Sequence, residues 1–101
     1  MAAHEQRAHQ RELVTLPVLV RMASGSELSG QVDNLGALGA LVTTPDLEVA
    51  IVVGDQVTLV IDTRDRGRVE VVGEVLRLEQ EFTGSDIRRS FAVRFVEGVQ
   101  T

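Results

Sequence analysis

The stretch that decides the fold is residues 68–78, RVEVVGEVLRL. Val69 and Val71 place apolar side chains at odd positions, whereas Leu76 and Leu78 place them at even positions. Side chains alternate between the two faces of a strand, so this change of face around Gly73 predicts one extra residue, a β-bulge. A bulge coils its strand, and a long coiled strand favours a sheet that closes on itself.

The segments around this strand show the same alternation of apolar and polar residues. They predict five more strands, near residues 13–22, 27–33, 40–43, 56–62 and 90–96. Turn-forming residues separate them at 23–26 (ASGS), 54–55 (GD), 64–67 (RDRG) and 83–86 (TGSD). Residues 47–53 fit either a loop or a short strand.

Six closely spaced strands without a convincing helix predict an all-β fold, an antiparallel barrel or sandwich. The long bulged strand favours the small barrel, with little or no C-terminal helix. The predicted organisation is an N-terminal arm at residues 1–12, a barrel domain at 13–96 and a tail at 97–101.

Composition limits the possible functions. The chain has 101 residues, a formal net charge of −5, no cysteine, and no apolar run long enough to span a membrane. No export signal is visible, so a cytoplasmic protein without membrane insertion is expected. Its negative charge repels other anions, so an anionic ligand must be held by a local cluster of arginines. All ten basic residues are arginine.

Two segments carry candidate site residues. The polar arm, MAAHEQRAHQRE, is predicted to be mobile and holds Arg7 and Arg11 at an i, i+4 spacing. Residues 31–42, QVDNLGALGALV, place the amide of Asn34 next to Gly36 and Gly39. Glycines accept positive φ and allow another group to approach the backbone closely. Taken alone, this segment also fits a plain turn or bulge whose glycines serve geometry only.

Together the two segments resemble a known family. RAHQR at residues 7–11, followed by a strand that contains LPV, resembles the RxxxR motif of PilZ domains. NLGALG at residues 34–39 resembles the (D/N)xSxxG motif of that family. The likeness covers nearly the whole chain, through the closing strand VRFV at residues 93–96.

The resemblance implies a six-stranded antiparallel barrel that binds cyclic di-GMP. It implies a cytoplasmic receptor of bacterial signalling that controls motility, exopolysaccharide and biofilm formation, adhesion or virulence through a protein partner. Arg7 and Arg11 would grip the ligand, Asn34 would contact a guanine edge, and Gly36 and Gly39 would shape the floor. Guanidinium groups suit this task because they pair bidentately with phosphate and with guanine O6 and N7, and stack on purines.

The chain departs from the family pattern in several places. Gly36 replaces the motif serine, and losing one neutral hydrogen bond costs on the order of 1 kcal/mol, roughly fivefold in affinity. The C-terminal helix found in many members is absent from the pattern. Asp33 is expected on the outer face, the side on which the family's ligand lies. Gln6, in place of an arginine before Arg7, favours one bound ligand per protomer.

Other classes of function fit less well. A PilZ-like adaptor for pilus or motility proteins that binds no cyclic di-GMP is the main alternative, and Gly36 favours it. Enzyme chemistry is not expected, because no nucleophile elbow or fixed His–carboxylate pair is present. His4 and His9 lack the partners of a metal site, and no cofactor is expected. Three phenylalanines and a negative charge argue against a nucleic-acid polymer as partner.

Overall fold

A computed structural model of the chain describes residues 15–84 and 86–96. They form six strands and, within these ranges, no helix. The strands are β1 (Leu16–Met22), β2 (Glu27–Leu35), β3 (Gly39–Thr44), β4 (Gln56–Asp62), β5 (Arg68–Thr83) and β6 (Asp86–Phe95). The proposed boundary between arm and barrel lies outside the described residues and stays a prediction.

The strands close into a barrel in the order β1-β2-β3-β6-β5-β4, and β4 pairs with β1 to complete the circle. Every neighbouring pair is antiparallel. The predicted all-β antiparallel barrel is therefore confirmed. The predicted loops at residues 23–26 and 64–67 connect neighbouring strands, and Gly25 and Gly67 take the positive φ angles that such turns require.

The core fills the interior of the barrel with the inward side chains of all six strands. In β1 and β4 the buried residues alternate strictly with exposed or half-buried ones, as the period of two predicts. Closure removes exposed sheet edges over the paired length of each strand. The buried apolar residues are Leu16, Val18, Val20, Met22, Leu28, Val32, Ala40, Val42, Ile51, Val57, Leu59, Ile61, Val71, Val75, Phe91 and Val93.

The bulge in β5 exists, but the predicted position and one predicted inward residue are wrong. The register shifts between Val75 and Arg77, not around Gly73. Gly73 and Val75 both continue the inward odd positions, and Leu76 faces outward with 46% of its surface exposed. Gly73 gave no hydrophobic signal because it has no side chain. Its place is taken by the side chain of Val93, which would collide with any Cβ there.

Residues 45–55 connect β3 to β4 and contain no strand, which settles the loop-or-strand alternative for residues 47–53. Ile51 is buried with 4% of its surface exposed and belongs to the core. The Asp55 carboxylate accepts a hydrogen bond from the Val52 amide at 2.9 Å. The loop thus carries Ile51 into the core and packs the half-buried Val49 against it.

Arg89 anchors this loop. It lies on β6 with only 7% of its surface exposed. Its Nε and Nη2 atoms donate hydrogen bonds of 3.0 and 2.6 Å to the backbone carbonyl of Asp46. A buried guanidinium is tolerated only where its donors are used, and here two of them fix the first turn of the loop.

We expect Arg89→Met to lower the free energy of unfolding by about 2 kcal/mol, because the Asp46 carbonyl loses both charged donors. Urea denaturation followed by circular dichroism measures the change. Arg88→Met is the matched control, since Arg88 is the exposed neighbour on the same strand, and its effect should stay within about 0.5 kcal/mol. Equal effects of the two substitutions would contradict the anchoring role.

Candidate functional site

A β-bulge sets the geometry of the β2–β3 hairpin. Val32 pairs with Val42, but the next pair is Asn34 with Leu41, so Asp33 is the extra residue on β2. A bulge re-aims the side chain that follows it. The extra residue Asp33 therefore sets the direction in which the Asn34 side chain points.

The Asp33 carboxylate holds the bulge in place. Its Oδ1 accepts a hydrogen bond of 2.7 Å from the side-chain amide of Gln31, and its Oδ2 accepts a short one from the Thr43 hydroxyl. Gln31 is half-buried beside the inward Val32 and faces Thr43 in the register, so the carboxylate lies on the outer face, as predicted. With both oxygens engaged, Asp33 works as an internal clamp.

Of the two glycines of the hairpin, Gly39 is needed for packing. The Gly36 amide donates to the Gly39 carbonyl at 2.9 Å and closes the hairpin end. Neither glycine has a positive φ, unlike Gly25. A Cβ on Gly39 would collide with the backbone carbonyl of Val93 on β6. The close approach predicted for a ligand is thus made at Gly39 by the protein's own backbone.

A groove of about 470 Å³ opens on the outer face beside this hairpin. It crosses β3, β6 and β5, and Leu41 on β3 and Ala92 on β6 form its apolar floor. Leu38, at the hairpin tip, and Leu76, at the β5 bulge, stand on its rim with 81% and 46% of their surfaces exposed. The full lining is Asn34, Leu38, Gly39, Ala40, Leu41, Leu76, Arg77, Ala92, Val93 and Arg94.

Two arginines give the groove positive charge in a chain of net charge −5. Arg94 lies directly opposite Gly39 in the β3–β6 register, and Arg77 lies opposite Ala92 in the β5–β6 register. No carboxylate lines the groove among the described residues. The lining is therefore more favourable to an anion than the acidic protein as a whole, although Arg94 also pairs with Glu74 outside the lining.

Asn34 is the polar group on the opposite wall. Its Oδ1 is shielded from solvent and accepts no hydrogen bond from any described residue. A buried acceptor without a donor costs about 1–3 kcal/mol. Because Asn34 lines the groove, a small rotation of its amide would let a donor on a bound ligand remove that cost. A buried acceptor without a partner calls for an explanation, and a donor on a bound ligand would supply one.

The structure brings only part of the predicted site together. Asn34 and Gly39 share the groove, whereas Gly36 lines a separate hollow of about 150 Å³ with Leu35 and Phe95. Arg7 and Arg11 lie outside the described residues, so their placement stays a prediction.

Sequence reasoning missed Arg77 and Arg94. Arg94 stands at an outward position of a predicted strand, which was a usable signal. Arg77, however, follows a bulge whose position was predicted wrongly. No motif connects these two arginines, because only the β5–β6 pairing brings them to the same groove.

Comparison with known proteins gives a consistent result. The PilZ domain family model matches residues 5–100. The chain is similar to the solved PilZ domain of YcgR from Escherichia coli with c-di-GMP, with a TM-score of 0.68 and 12% identity. That match covers 81% of this chain and 68% of the other. No curated protein matches the sequence significantly.

Two further solved structures are similar. The Bacillus subtilis inhibitor of motility, MotI/DgrA, has a TM-score of 0.71 and 19% identity, covering 87% of this chain but only 41% of its own. The PilZ domain of CeSA from a cellulose-synthesizing bacterium has a TM-score of 0.63 and 20% identity, covering 88% of this chain and 83% of its own. At such identities the likeness shows a shared fold.

The described residues hold neither a metal-binding cluster nor a membrane-spanning helix. No three histidine, aspartate or glutamate side chains within residues 15–84 and 86–96 are placed to hold a metal ion. In the same part of the chain, no helix has the length and apolarity needed to cross a membrane.

Asn34→Ala should not lower the free energy of unfolding and should raise it by up to about 1 kcal/mol, because it removes a buried acceptor that forms no hydrogen bond. Asp33→Ala is the contrasting variant and should cost about 1–2 kcal/mol, since Gln31 and Thr43 lose their shared acceptor. Chemical denaturation of both variants measures the difference. A loss at Asn34 as large as that at Asp33 would show that Asn34 serves the fold.

Proposed function

Because the chain belongs to the PilZ domain family, we propose that it is a receptor module for cyclic di-GMP. The module is a binding domain and not an enzyme. It passes the presence of the nucleotide to a protein partner in bacterial control of motility, exopolysaccharide and biofilm formation, adhesion or virulence. The cytoplasm is its expected compartment.

The observation that carries this proposal is the unsatisfied Asn34 Oδ1 beside the groove. Guanine offers an N2 amino donor on one edge and the acceptors O6 and N7 on the other. The Asn34 amide oxygen can accept from that amino group once it turns into the groove. The family motif and the unsatisfied Oδ1 atom thus both indicate Asn34 as a binding residue.

Size and charge also support a dinucleotide. A volume of about 470 Å³ lies within the roughly 300–1,000 Å³ typical of small-molecule sites. The apolar floor at Leu41 and Ala92 suits the face of a purine, and the arginines on the β5–β6 side suit a phosphate. The groove is open to solvent on one side, and we propose that Arg7 and Arg11 close it over the ligand.

The second candidate is a protein adaptor that binds no nucleotide. Gly36 in place of the motif serine favours it, as does the exposure of Leu38 and Leu76 on the groove rim. Exposed apolar residues next to a groove are typical of protein contacts as well as of ligand sites. MotI/DgrA, which the fold resembles, is described as an inhibitor of motility.

Isothermal titration of the full chain with cyclic di-GMP decides between the two candidates. We expect saturable heat with about one ligand per protomer, and loss of that heat in Arg7→Ala and in Arg11→Ala. Arg21→Ala is the matched control, because it removes the same charge from an exposed β1 residue that pairs with Glu27. It should bind normally. Absence of heat at high micromolar ligand, together with ligand-independent capture of a partner, would favour the adaptor.

Gly36→Ser should tighten binding of cyclic di-GMP by about fivefold, the effect of one added neutral hydrogen bond. The backbone at Gly36 does not have a positive φ, so serine can adopt it without the strain that a left-handed residue would cause. Gly36→Ala is the control that adds a side chain without a hydroxyl. Titration of both variants gives the comparison, and an equal response to Ala and Ser would refute a role for the missing hydroxyl.

A further inference from the structure

One ion pair connects the groove to the neighbouring surface of the barrel. Arg94 on β6 and Glu74 on β5 lie directly opposite each other in the register. The Arg94 Nη2 atom donates to Glu74 Oε1 at 2.8 Å, and the two side chains are 58% and 38% exposed. The pairing is therefore built into the ladder, since opposite residues on one face of a sheet are always neighbours.

Arg94 contacts both the groove and the neighbouring surface of the barrel. It lines the groove and lies opposite Gly39, which has no side chain to cover it. Glu74, in contrast, is not a lining residue. The Arg94 guanidinium therefore already has an acidic partner, and that partner lies outside the groove lining.

We propose that Arg94 binds a phosphate of the ligand in this groove and that Glu74 is an intramolecular competitor for the same guanidinium. The inference rests on the proposed function, because the ligand it assumes is cyclic di-GMP. In the ligand-free protein Glu74 holds Arg94, and in the complex a phosphate takes the place of the carboxylate. Glu74 thereby raises the ligand concentration at which the receptor responds.

The chemistry of the two contacts makes the exchange feasible. Arg94 uses a single nitrogen toward Glu74, whereas a guanidinium has five N–H donors arranged as a fork that matches phosphate bidentately. Half-exposed ion pairs are weak because water screens them and because they restrict two flexible side chains. A bidentate phosphate contact inside the groove, shielded from water by the ligand itself, is the stronger of the two.

Arg77 strengthens the anion preference of the groove without a competitor of this kind. It lies opposite Ala92, and among the described residues it forms no ion pair. The two arginines therefore differ in one respect that an experiment can use. Only Arg94 is expected to respond when a carboxylate on β5 is neutralised.

The test is a double-mutant cycle on the full chain, with cyclic di-GMP titrated into wild type, Glu74→Gln, Arg94→Gln and the double variant. We expect Glu74→Gln to tighten binding about three- to tenfold and Arg94→Gln to weaken it at least tenfold. In the double variant, neutralising Glu74 should have no further effect. Unfolding midpoints should hardly move, because both side chains are largely exposed.

Glu70→Gln is the matched control. Glu70 is an exposed residue of the same strand and lies opposite Val60, so its removal changes the net charge by the same amount without releasing an arginine. It should change the affinity by less than twofold. An equal gain from Glu70→Gln and Glu74→Gln, or a gain that persists in the Arg94→Gln background, would overturn the competitor role.

The outcomes separate this inference from the function on which it rests. If the wild type binds cyclic di-GMP and Arg94→Gln binds it equally well, the inference is overturned and the receptor function stays intact. Absence of binding in every variant, Glu74→Gln included, would overturn both. If Glu74→Gln binds cyclic di-GMP and the wild type does not, the inference and the receptor function are both supported, and Glu74 is a strong competitor.

Discussion

The whole structure depends on β5 pairing with two different strands. Its first half pairs with β4 from Arg68 to Glu74, and β6 pairs with it from Gly73 to Thr83. The bulge between Val75 and Arg77 lies just past the point where β4 begins. It bends the strand so that β6 can also reach β3, and this closes the barrel around the core. The outer faces of β3, β6 and β5 form one continuous surface because β6 pairs with both of the other strands.

The groove is a consequence of that closure and of small residues. Gly39 lets the β2–β3 hairpin lie against the Val93 carbonyl, and the Phe95 amide donates to the Leu38 carbonyl at 2.8 Å. The hairpin tip is thus fixed to β6, and Ala92 leaves the space beside it open. The Asp33 clamp then fixes the wall that carries Asn34. Packing contacts therefore determine the shape of the groove, and the side chains that this packing leaves exposed determine its chemistry.

The sequence predicted features that depend on neighbouring residues better than features that depend on residues far apart in the chain. The faces of β1 and β4, the glycine turns and the family motif at Asn34 follow from residues close together in the chain. The β5 bulge was predicted two to three residues too early, because Gly73 occupies an inward position without showing it. Gly36 and Gly39 were predicted to line one surface, yet they line different hollows. Gly36 lies at the mouth of the barrel, whereas Gly39 faces β6.

By itself, the sequence determined which side chains of β1 and β4 face inward, where the chain turns, and that an asparagine and two arginines of the arm match two motifs of a known family. These properties depend on neighbours in the chain, and side-chain alternation along a strand is a local rule. Only the tertiary structure decided that Arg94 meets Glu74 on one side and Gly39 on the other. Those contacts depend on the registers of three separate strands, and one bulge residue is enough to shift a register and move every later side chain to another partner.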